Sequence, residues 1–119
     1  MHRTNYLTTV AKVKKLTDVD LDDFSSAVRA VVFSTANQHG GAKKPLERAI
    51  TATNKLIKVG DPNYEETLIR QIYVERARYV LGVAKNNKNL GQKKQLKQLV
   101  KNRYIPEEAD ALAQLKAAT

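Results

Sequence analysis

The chain contains no cysteine and no tryptophan, one methionine, and only two histidines and two phenylalanines among its 119 residues. Without cysteine there is no disulfide scaffold, no zinc–cysteine site and no thiol nucleophile. No uninterrupted apolar run approaches the roughly 18 residues needed to cross a bilayer. The opening MHRTNYLTTVAKVKK has no continuous apolar stretch either, so it does not read as a secretory signal. It is basic, hydroxyl-rich and acid-free, as some organelle presequences are, and it reads equally well as a first helix. The expected location is cytoplasmic.

Catalytic groupings are equally scarce. One histidine, His2, is at the N-terminus and the other, His39, sits in a glycine loop. There is no nucleophile elbow, glycine-rich dinucleotide fingerprint, Walker A loop or HExxH helix. The segment Asp18-Val19-Asp20-Leu21-Asp22-Asp23 begins like a calcium loop. Its sixth and twelfth positions are Asp23 and Arg29, where such a loop needs glycine for the turn and glutamate for bidentate contact. An acidic helix N-terminus is the simpler reading. The expectation is a non-enzymatic protein with no cofactor and no metal.

What the chain does have is helical periodicity. A length of 119 residues with 42% apolar and 28% charged residues suits one globular domain spanning 1–119. Tyr6, Leu7, Val10, Val13 and Leu16 fall at helical spacing, and Thr17 followed three residues later by Asp20 reads as a capping box for a helix over 21–37. Pro45 suits a first helical position, with Leu46, Ala49, Ile50, Thr53, Leu56 and Ile57 on one face up to Gly60. Asp61-Pro62 starts the longest helix, over about 62–85, whose Leu68, Ile69, Ile72, Tyr73, Tyr79, Val80 and Val83 cover a broad arc. A helix this apolar is the natural centre of the domain. Leu96, Leu99 and Val100 mark the next helix, and Pro106 opens a last one with Ala109, Leu112, Ala113 and Leu115 inside. The fold class is all-α: a compact bundle of five to six helices with short loops. Arg76 lies within the apolar arc, so it needs an acid such as one of residues 18–23 or Glu107/Glu108.

The net charge of +9 is uneven. Residues 85–104 carry +7 with no acid, whereas residues 18–26 carry −4. Lys93, Lys94, Lys97 and Lys101 fall within about 100° of helical arc, beside the apolar face. Lys88 precedes them, and Arg103 with Tyr104 follows, a guanidinium and a ring able to grip a phosphate and stack on a base, although Tyr104 packed into the bundle and Arg103 bonded to the helix C-terminus is the simpler reading. A second stripe, Lys44, Arg48, Lys55 and Lys58, spans about 80° opposite the core face of its helix. Lys43 and Lys44, like Lys93 and Lys94, sit at helix starts, where cations oppose the dipole unless an anion binds there. The last two helices do not suit a DNA-reading pair, because Glu107, Glu108 and Asp110 would face phosphates. The leading expectation is a polyanion partner, DNA or RNA, held through residues 85–104 with help from 43–58, by backbone charge rather than base reading.

Two alternatives remain. Asp61-Pro62-Asn63-Tyr64 and Asn102-Arg103-Tyr104-Ile105-Pro106-Glu107-Glu108 resemble segments of the immunity proteins of the pediocin-like bacteriocins, over about a third of the chain. That resemblance implies a module that interacts with a protein partner or an anionic membrane surface, although 60 residues precede Asp61, more than the family places there. The third reading is a homo-oligomeric adaptor or assembly protein of phage or plasmid origin, with Phe33, outside the main apolar arc of its helix, as a possible anchor.

Overall fold

The computed structural model describes residues 2–38, 43–86 and 89–118, and among these every regular element is helical. The helices are α1 (His2–Thr17), α2 (Ser26–Gln38), α3 (Lys43–Leu56), α4 (Tyr64–Asn86), α5 (Leu90–Leu99) and α6 (Ile105–Ala118). A 3-10 turn, Leu21–Asp23, precedes α2, and a π turn, Val100–Tyr104, joins α5 to α6 without a break. Counted as one rod, α5 and α6 leave five helices, so both ends of the expected range are met. His39, residues 40–42 and Lys88 lie outside the described residues, as do the side chains of His2, Lys43, Val83 and Lys85.

Helix α4 is the centre, as its breadth of apolar surface requires: it packs against α2, α3, α5, α6 and the π turn, while α1 closes the far side on α2 and α3. Leu68, Ile69 and Ile72 of α4 are fully buried against Val13, Val28, Leu46 and Ile50 in a single apolar cluster.

Several expectations about helix ends are corrected. Thr17 does not cap the following helix; its hydroxyl donates back to the Val13 carbonyl at 2.7 Å and so closes α1. Asp18 then takes a left-handed conformation (φ 61°), and its N–H donates to the Lys14 carbonyl at 2.8 Å, a helix stop usually given to glycine. Asp20 caps only the short 3-10 turn, accepting from the Asp22 N–H at 3.0 Å. The chain gives up early helix here because the turn drives Leu21 into the core and lets Tyr6 donate to Asp22 at 2.7 Å. The Ser25 N–H, which precedes α2, donates to Glu65 of α4 at 2.8 Å. Asp61 closes a turn by accepting from the Asn63 N–H at 2.9 Å, and α4 begins at Tyr64 rather than Pro62.

Pro106 stands in the first turn of α6 as expected, but the helix continues from α5 through the π turn. This proline lacks the N–H that an α-helix would direct at the Asn102 carbonyl, and its ring would crowd that oxygen. The backbone widens instead: the Ile105 N–H donates to the Val100 carbonyl five residues back. Tyr104 at the end of the π turn and Ala111 of α6 are buried, with Leu112 and Leu115 half-buried, whereas Ala109 and Ala113 are exposed. Leu7, Leu16, Leu56 and Tyr79, all expected to face the core, are also exposed.

Two phenols tie the bundle together and make it sensitive to alkali. Burial, aided by Glu107 and opposed by Arg76, pushes Tyr73 up to about 12 from 10.0. Burial and the hydrogen bond to Asp22 raise Tyr6 as well. The folded state favours the neutral phenols, so their contribution is complete below about pH 10 and is lost as pH rises toward 12, where the unfolded chain ionises first. Thermal unfolding followed from pH 9 to 12 is expected to show falling stability above about pH 10, with a shallower fall in Tyr73→Phe.

Candidate anion-binding face

On α3, Lys44, Arg48 and Lys55 are exposed and line an open groove of about 510 Å³. The other wall is α4, through Glu75 and Arg78. Glu75 is only 6% exposed and holds Arg78 Nη1 at 2.9 Å. That bond orients a fourth cation along the α3 stripe. Lys58, grouped with this stripe by its angle, lies in the turn beyond α3 and does not line the groove.

Lys94 and Lys97 of α5 and Lys101 of the π turn, which continues their stripe, are exposed, and Lys93 is half-buried. Among the described residues none of these four lysines makes an ion pair, and neither do Lys44, Arg48, Lys55 or Lys58. Arg103 differs: its Nε donates to Glu107 at 3.0 Å. Tyr104 is 2% exposed, so it packs into the bundle as the simpler reading has it, and no guanidinium–ring grip forms at the end of the lysine stripe. The side chain is drawn inward because the Arg76 guanidinium sits 4.5 Å above its ring. The expected anion site at the start of α5 is also taken. Asn89 Oδ1 accepts from the Gly91 N–H at 2.9 Å and the Gln92 N–H at 3.2 Å, which satisfies the donors an anion would use.

The two basic stripes flank one surface. Arg70, Val74 and Arg78 recur every four residues along the exposed side of α4. Arg78 borders the α3 groove, while Val74 and Ala77 line a cleft of about 190 Å³ together with Val100, Ile105 and Glu108. Lys97 and Lys93 stand three and seven residues before Val100, so they share its side of α5. Helices α3 and α5 each pack on α4, which stands between them. In the cleft, burial raises the Glu108 carboxyl above its usual range, and Arg70 opposes that shift.

No protein-family model, no curated protein and no solved structure matches this chain. The resemblance of 61–64 and 102–108 to bacteriocin-immunity proteins therefore gains no support, and both segments have local explanations in the Asp61 turn and the Arg103–Glu107 pair.

Sequence reasoning found the lysines but missed Arg70, Val74, Arg78 and Ile105. The four-residue spacing of Arg70, Val74 and Arg78 is visible in the sequence. That it borders both basic stripes is not, because that depends on which helices pack on either flank of α4. Phe33, the expected oligomer anchor, is 38% exposed and packs its ring 6.0 Å from that of Tyr6 in its own chain.

Proposed function

We propose that this protein binds a polyanion, the phosphate backbone of DNA or RNA, through the lysines of α5 with the α3 groove as a second contact. The observation that carries the reading is the set of cations left without carboxylate partners on both flanks of the α4 strip. Many of the acids are engaged elsewhere: Asp22 with Tyr6, Glu65 with the Ser25 N–H, Glu107 with Arg76 and Arg103. No acid lies within 85–104 to offset the α5 lysines, and in the α3 groove Lys44, Arg48, Lys55 and Arg78 outnumber Glu47 and Glu75, so the net field attracts an extended anion. Tyr73 and Tyr104 are buried, so the strip offers neither ring for stacking, and backbone charge carries the binding. Contacts of this kind position a nucleic acid without reading its sequence.

Neutralising about four to six phosphates makes affinity for duplex DNA fall roughly 10²- to 10³-fold between 50 and 200 mM salt. A Lys93/Lys97/Lys101→Glu variant is expected to lose binding and flatten the salt slope while its helical circular-dichroism signal stays unchanged. Salt-independent binding, or none at low salt, sinks the proposal.

A further inference from the structure

The strip between the basic stripes carries something that phosphate binding does not require. Val74, Leu81 and Ile105 are 44%, 42% and 60% exposed, and Leu90 at the head of the lysine stripe is 79% exposed. Val74 and Leu81 are seven residues apart and so lie on one side of α4, with Ala77 between them. Ile105 reaches the same cleft from the start of α6. Val74 and Ile105 thus meet in one cleft, with Leu81 on the same side of α4 two turns on, and contiguous exposed apolar groups mark an interaction surface.

We infer that this face docks on a lipid bilayer containing anionic headgroups, with Val74, Leu81, Ile105 and Leu90 entering the interface and the flanking cations meeting the headgroups. The inference is independent of the nucleic-acid reading, although it uses some of the same cations. Three features favour a bilayer. The apolar centre and its basic borders supply the two signals, apolar insertion and charge attraction, that reversible surface binding needs. The cleft of about 190 Å³ admits a side chain but not a partner helix, which leaves a surface spread over three helices rather than a peptide groove. The charge of the molecule is also polarised along the right axis. Glu65, which anchors the acidic connection before α2 through the Ser25 N–H, stands nine residues from Val74 and hence about 180° around α4. The acidic connection thus lies on the other side of α4 from the strip; the acid that lines the strip's cleft is Glu108.

The test is co-sedimentation of the full chain with vesicles of phosphatidylcholine alone or mixed with phosphatidylserine, beside duplex-DNA binding in the same buffer. Binding is expected only to the mixed vesicles, weakening about fivefold for each lysine of α5 removed. A Val74→Ser/Leu81→Ser/Ile105→Ser variant alters exposed side chains only, so it should keep its fold. It is expected to lose vesicle binding at least tenfold and to leave DNA binding unchanged. No sedimentation with mixed vesicles overturns the inference, as does equal sedimentation of the triple variant, which would mean attraction by charge alone. Loss of DNA binding in the triple variant would also overturn it, by making the apolar strip part of a nucleic-acid surface. Failure of DNA binding with vesicle binding intact would instead remove only the nucleic-acid proposal.

Discussion

Glu107→Ala is expected to lower the melting temperature by roughly 10–15 °C, equivalent to about 3 kcal/mol. The reason lies with Arg76, whose side chain is wholly buried in the middle of α4. Its guanidinium lies 5.0 Å from the Tyr73 ring and 4.5 Å from the Tyr104 ring. Glu107 Oε2 stands 3.7 Å from Nη1, and Ser34 Oγ of α2 is 3.4 Å away. Glu107 also accepts from Tyr73 Oη at 3.3 Å and from Arg103 Nε at 3.0 Å. One carboxylate thus links α4, α6 and the π turn, and it pairs with Arg76 across the packing of α6 on α4.

Deleting that carboxylate takes a counter-charge from a buried cation, the costly half of breaking an internal ion pair. Arg76→Met should cost less than Glu107→Ala, even though Arg76 is the more buried residue. It removes the charge together with its desolvation penalty and keeps an unbranched side chain between the rings, while Glu107, 31% exposed, stays hydrated and bound to Arg103. Two melting curves decide the matter, and a larger loss for Arg76→Met would falsify the ordering.

The second large effect contrasts two leucines on the same helix. Leu46→Ala is expected to cost about 3 kcal/mol, because a wholly buried side chain leaves both lost transfer energy and a residual cavity. Leu56→Ala is expected to change stability by less than about 0.5 kcal/mol, since Leu56 is 69% exposed. Denaturant titration of both variants checks the pair, through midpoint shifts at constant slope. Periodicity places both residues on the apolar face of α3. They differ because Leu46 meets α4 and the core cluster while Leu56 is the last residue of the helix, where the chain turns away.

Other elements show the same division. The apolar arc of α4 and the left-handed Gly60, at φ 97°, are legible because each depends on spacing or on the conformational range of one residue, whereas α3 already ends at Leu56 and Asp61 closes a turn instead of capping α4. The need of Arg76 for an acid was legible too, since a cation inside an apolar arc cannot stay unpaired. Which acid answers it was open between two segments, and the packing of α6 on α4 selects Glu107 over residues 18–23. The Thr17 capping box fails for the converse reason: its hydroxyl has a nearer acceptor in the Val13 carbonyl, and long-range bonds to Tyr6 and Glu65 reward a different chain path.

The candidate face divides along this line. Every lysine of the α5 stripe is visible in the sequence as charge without a local acid. Exposure, the capture of Arg103 by Glu107 and the burial of Tyr104 appear only once α6 has docked. Linear order dictates helices, their apolar sides and the +7 concentrated in 85–104, because those depend on contacts a few residues apart. Tertiary packing decides that α3 and α5 lie on opposite flanks of α4, and hence that their cations border an apolar strip neither helix carries alone. That juxtaposition joins residues some forty positions apart in the chain, and only close packing of side chains between helices determines it.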